Sequence, residues 1–154
     1  MTKSVKIAIV FLLIFSMLGS ANAVDTSWQK PDIWEPGGPS PKGSDYISSY
    51  SSYMANTGNT VVIYYSIYGS GKQAEIGATQ IALYQYNTNG TGTLLNVWRS
   101  TSNSSLYSYN AYSHSSYVTY TGQPGTSYYA KVTFFAGNGT NSDSRTLTTG
   151  VFTL

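Results

Sequence analysis

Alternation of apolar and polar residues with period two, cut repeatedly by glycine, asparagine and proline, is what most restricts this chain's fold. From Val61 to Tyr68, the residues Val61, Ile63, Tyr65 and Ile67 share one face, and Val62, Tyr64, Ser66 and Tyr68 the other. After the Pro124-Gly125 turn the pattern returns: Tyr128, Ala130, Val132 and Phe134 fall on one side, Tyr129, Lys131, Thr133 and Phe135 on the other. Such segments suit strands with one face in a core, and they leave no place for an amphipathic helix between them.

Read in order, the remaining segments extend this pattern. Tyr46 to Met54 reads as a serine-rich edge strand, ended by Asn56-Thr57-Gly58-Asn59. Gly69-Ser70-Gly71 is expected to turn the chain after Tyr68. A strand from Glu75 to Tyr86 follows, with Ile81 and Leu83 inward and Gly77 marking a bulge or bend. Asn87 to Gly92 is a hairpin signal, because Asn-Gly tolerates the positive φ of tight connections, and Thr93 to Trp98 is the returning strand. Leu106 to Tyr112 and Tyr117 to Tyr120 read as two short strands with a bend at His114. Arg145 to Leu154 supplies the last strand, broken at Gly150. The expected fold class is all-β, an immunoglobulin-like β-sandwich of about seven strands over 46–154, with a small closed β-barrel as the alternative.

Residues 1–23 read as a cleavable signal peptide. Lys3 and Lys6 precede an apolar run from Ile7 to Leu18, and Ala21-Asn22-Ala23 offers the small residues that a signal peptidase reads. That run is shorter than the ~20 residues of a bilayer span. Val24 to Asp45, with Pro31, Pro36, Pro39 and Pro41, reads as a flexible linker. Its Trp28, Ile33 and Trp34 either pack back on the domain or serve as a docking peptide. Cleavage before Val24 removes both leading lysines, and the formal charge of +2 falls to zero. A neutral chain with scattered bases lacks the electrostatic footprint for nucleic acid or anionic lipid. With no cysteine in the chain, stability has to come from core and sheet ladders rather than from disulfides. The expected location is outside the cell, released or loosely held at the envelope, with no stable membrane insertion once the signal is removed.

The segment Pro124-Gly125-Thr126-x-Tyr128-x-x-x-Val132 resembles the entry to strand F of fibronectin type III and related immunoglobulin-like sandwiches. The resemblance implies that Tyr128 is a corner tyrosine whose hydroxyl bonds to nearby backbone. The order of a serine-rich strand, a Val-x-Ile-Tyr strand, a Gly-x-Gly turn, a lone histidine and Gly125-x-x-Tyr128-x-Ala130-Lys131-Val132-Thr133-Phe134-x-Ala136 is similar to small secreted proteins of Gram-positive bacteria. That likeness implies export and leaves the activity open.

Catalytic parts are sparse. A glycosidase needs two carboxylates across the scissile bond, for which Glu75 and Asp143 are the nearest candidates. A small hydrolase would have to use His114, the sole histidine, without a nucleophile-elbow sequence for any serine. Zinc would lack ligands, and calcium would have only Asn138, Asn141 and Asp143. No cofactor is expected. Tyrosine is the distinctive feature, with 15 in the chain. With the Ile63 face inward, Tyr64, Tyr68, Tyr84, Tyr86 and Tyr129 are expected to point outward, with Trp98 a further candidate of ambiguous register. Such a face suits cell-wall glycan, where rings offer apolar area and serine hydroxyls read polar groups. It equally suits a surface protein or weak self-association. It also suits plain cross-strand packing with no ligand.

Overall fold

The computed structural model describes residues 24–25 and 44–154. The expected signal peptide and most of the expected linker, including Trp28, Ile33 and Trp34, lie outside the described residues. The protein is all-β. Its strands are β1 (Val24–Asp25), β2 (Ile47–Thr57), β3 (Thr60–Tyr86), β4 (Gly92–Arg99), β5 (Tyr107–Thr121), β6 (Ser127–Gly137), β7 (Ser142–Thr148) and β8 (Phe152–Thr153), with one 3-10 turn at Ser104–Leu106. All the pairings are antiparallel, and the sheet curls into a half-barrel. Among the described residues no helix is long and apolar enough to cross a membrane.

The 27-residue β3 organises everything else. Its first half lies between β2 and β5, and its second half between β4 and β6. The expected turn at Gly69-Ser70-Gly71 is instead a wide bulge. Pairing with β5 passes from Tyr68↔Ser113 directly to Gln73↔Ala111, and the chain continues as strand. Glycine tolerates the distortion, and buried Gln73 bridges it by donating from Nε2 to the Gly71 carbonyl at 3.1 Å. A second bulge stands at Thr79 rather than at Gly77. Each irregularity switches which parity faces inward, so Val61, Ile63, Tyr65 and Ile67 enter the core, then Ile76 and Ala78, then Ile81 and Leu83. Gly77 answers a different need: a Cβ there would stand 2.1 Å from the Leu106 carbonyl oxygen.

A further expectation changes. The two short strands expected at Leu106 to Tyr112 and Tyr117 to Tyr120, with a bend at His114, are not separate: Leu106 closes the 3-10 turn and the chain then runs on from Tyr107. This run is the single strand β5, and its left-handed residue is Asn110, with φ +51°. Val24 and Asp25, which open the expected linker, pair with Thr93 and Gly92 of β4. The core is closed by β6, whose Tyr128, Ala130, Val132 and Phe134 all enter it. Phe134 reaches across to Tyr50 on β2 (ring centroids 5.1 Å) and to Tyr65 on β3 (6.4 Å), joining the two halves of the bent sheet.

Candidate binding face

The outer side of β2, β3 and β5 carries side chains in rows that run straight across the three strands. Tyr53, Tyr64 and Tyr117 form one row, because Tyr64 is the register partner of both others. The next row, two residues along each strand, is Ser51, Ser66 and Ser115, and the one after it is Ser49, Tyr68 and Ser113. Tyr53 and Tyr64 stack at 4.9 Å with planes 16° apart, and Tyr117 leans on Tyr64 at 5.8 Å. Tyr53, Tyr68 and Tyr117 remain 50%, 51% and 58% exposed. The tyrosine and serine rows line a shallow depression of about 320 Å³, formed in part by Ser51, Tyr53, Tyr64, Ser66, Ser115 and Tyr117. Ser51 and Ser66 share a hydrogen bond of 2.8 Å across it. One hydrogen bond cannot exhaust the donors and acceptors of the two hydroxyls, so this floor retains capacity for a polar ligand.

The expected tyrosine face is therefore split. Tyr64 and Tyr68 belong to the rows just described, while Tyr84, Tyr86 and Tyr129 lie on the other half of β3 and its neighbours. Tyr84 and Tyr129 do leave the main core, yet they are 9% and 0% exposed. They stack at 4.9 Å in a separate cluster with Ala82, against which Tyr86, Leu94 and Val97 pack. Trp98 pairs with inward-facing Ile81 and packs against the main core, so it does not join a surface face. Tyr128 is buried, and its hydroxyl accepts a 2.8 Å hydrogen bond from the Gln123 N–H. Sequence reasoning passed over Tyr53 and Tyr117. The first was within reach: the two-residue turn Gly58-Asn59 pairs Thr57 with Thr60 and so sets Tyr53 opposite Tyr64. Tyr117 depends on a long-range pairing that no local pattern encodes.

His114 stands in mid-strand on the inner side, only 9% exposed. Its Nε2 lies 3.2 Å from the Tyr65 hydroxyl and its Nδ1 2.8 Å from Ser108 Oγ. Burial pushes the Tyr65 phenol up to about 12, although the Ser116 hydroxyl works the other way. The tyrosine and serine hydroxyls can each donate or accept, so the tautomer of the ring sets the direction of both hydrogen bonds. Burial also lowers the His114 pKa, with a backbone hydrogen bond to Ser105 opposing it. The folded protein thus binds fewer protons than the unfolded chain just below the ordinary histidine pKa of ~6.5, so stability falls as the pH drops through that window. The denaturation midpoint should be lower at pH 5.5 than at pH 7.5, and His114→Gln should flatten the difference. A midpoint independent of pH in the parent would overturn this account.

The acids do not converge. Glu75 sits on β3 and Asp143 on β7, with β6 between them. Glu75 has the parity opposite to inward Ile76, whereas Asp143 has that of inward Leu147. Asp143 instead accepts the Tyr46 N–H at 2.9 Å, and the Ser44 hydroxyl with this N–H holds its carboxyl below the usual range. Asn138 spends its Oδ1 on the N–H groups of Thr140 and Asn141. Among the described residues, no three of His, Cys, Asp and Glu are grouped to hold a metal ion. No family model and no curated protein matches the chain.

Proposed function

We propose that this chain is a non-catalytic, exported binding module that holds an extended glycan of the cell envelope along the outer face of β2, β3 and β5. The observation that carries this reading is the Tyr53–Tyr64–Tyr117 row set directly beside the Ser51–Ser66–Ser115 row. Rings give apolar area to the sugar's C–H faces, and the hydroxyl row meets its hydroxyls. The face is broad and shallow, so binding is modest and gains from a repetitive polymer that meets it many times. We infer also that the half-barrel is an immunoglobulin-like sandwich. Phe134 packing across on Tyr50 and Tyr65, and the Tyr128 hydroxyl on Gln123 backbone, support that arrangement.

The test is co-sedimentation of the chain lacking 1–23 with insoluble peptidoglycan and with a neutral insoluble polysaccharide. Tyr53→Ala plus Tyr117→Ala should weaken binding about tenfold, equivalent to about 1.4 kcal/mol, with an unchanged circular dichroism spectrum. Unaltered pelleting by the double variant, or none by the parent, would sink the glycan reading. A second reading is favoured by β2 itself. Among the described residues this eleven-residue strand pairs only with β3, and it carries neither charge nor proline to guard its other edge. Self-association through that edge predicts a mass that rises with concentration in sedimentation velocity, together with indifference to the polymer.

A further inference from the structure

Where β5, β3 and β6 run side by side, their outward positions fall into two rows. Tyr107, Gly77 and Phe135 make one row, and Tyr109, Glu75 and Gly137 the next. The two glycines contribute no side chain, and the Tyr107 and Phe135 rings meet at 6.0 Å between centroids. A Cβ on Gly137 would stand 2.8 Å from the Ser142 Cβ and 3.4 Å from the Phe135 Cζ, so its absence lets the turn between β6 and β7 lie against the ring. Glu75, Phe135 and this turn, through Gly139, Thr140 and Ser142, wall a half-open pocket of about 180 Å³. We propose that the pocket is a binding site for a primary alkylammonium group, with its N–H donors directed to the Glu75 carboxylate and its carbon body against the Phe135 ring.

Three observations carry the assignment. The first is charge. Among the described residues Glu75 makes no ion pair, and its side chain is exposed. Lys131, the basic residue of β6, is turned to the Tyr84 ring instead, its Nζ 5.2 Å from the ring centre. The negative field of Glu75 reaches the Tyr107 phenol, whose pKa is pushed above the usual range by burial first and by Glu75 second. A ligand cation would supply the missing opposite charge. The second is the hydrogen bonding of the turn. Asn138 Oδ1 accepts from the Thr140 and Asn141 N–H groups at 3.0 and 2.9 Å, and the Asn138 N–H donates to the Asn141 carbonyl at 3.0 Å. Backbone donors that could hold an anion are thus spent inside the turn, while the carboxylate offers only acceptors. The third is the ring. An aromatic face is electron-rich and attracts a cation, and its carbon surface suits an alkyl chain. The pocket is smaller than the ~300 Å³ at which drug-sized sites begin, so it takes a small amine or the end of a longer one. It uses other residues of β3 than the tyrosine and serine rows, and the proposal does not rest on the glycan reading.

The experiment is an NMR titration of the isotope-labelled protein with butylammonium chloride at constant ionic strength. Saturable shifts are expected at the amides of Glu75, Gly137, Gly139 and Thr140, and butanol at the same concentrations should leave them in place. Glu75→Gln keeps the size of an exposed side chain and removes its charge. It should weaken binding about tenfold, with an unchanged circular dichroism spectrum. Tetramethylammonium, which has no N–H to donate, should bind more weakly than butylammonium. Shifts that do not saturate, shifts matched by butanol, or a Glu75→Gln variant that titrates like the parent would each overturn the proposal. Tetramethylammonium binding as tightly as butylammonium would overturn the primary-amine assignment.

Discussion

Phe134→Ala should destabilise the fold by about 3–5 kcal/mol, the range for removing a buried aromatic ring. Phe134 is fully buried at the centre of β6, where it touches Tyr50 of β2 and Tyr65 of β3. The void would open between the two halves of the sheet, which the bend in β3 holds at a set distance, so the walls cannot collapse into it freely. Domains of this size are stable by only about 5–15 kcal/mol, and the variant should be partly unfolded at physiological temperature. Urea denaturation with an unchanged slope measures the effect. A loss under 1 kcal/mol would show that the halves are joined elsewhere.

Gly77→Ala is the second large effect, expected to cost about 3 kcal/mol, at the upper end of overpacking changes. The added methyl would sit 2.1 Å from the Leu106 carbonyl oxygen and 2.8 Å from the Tyr107 Cα, both backbone atoms that no rotamer change can move. The start of β5 would have to lift away from β3. Because Tyr107, Ser108 and Tyr109 pair with Gly77, Ile76 and Glu75, the ladder would be lost first there, and the His114–Ser108 contact with it. Amide hydrogen exchange should show the loss of protection concentrated in 107–111 before the rest of β5. Exchange unchanged in that stretch would refute the close-packing role of Gly77.

In the two most regular segments, the face that enters the core was legible in the residues themselves. Val61 through Ile67 and Tyr128 through Phe134 alternate as a half-buried strand must, and both sets lie in one core. The Asn87–Gly92 hairpin was legible too, with Gly90 at φ +82°. Glycine misled inside a long strand: β3 is laddered to β2 and β5 before Gly69-Ser70-Gly71 and to β5 and β6 after it, so the flanking ladders turn a local turn signal into a bulge. His114 misled for a related reason, since its serine neighbours look like a bend but are held straight by pairing with Ile67 and its neighbours.

Sequence alone determined the all-β class, the inward sets of 61–67 and 128–134 together with Ile81 and Leu83, and the outward parity of Tyr64, Tyr68, Tyr84 and Tyr129, because a strand's two-residue period is a property of each short segment. Only the tertiary structure decided that these tyrosines belong to two surfaces. The bend and bulges of β3 turn its halves in different directions, and the partners of Tyr64 come from a local hairpin on one side and from a strand more than fifty residues away on the other. Pairings of that second kind are chosen by the free energy of the whole core against the entropy of closing a long loop, and no short stretch of residues carries that sum.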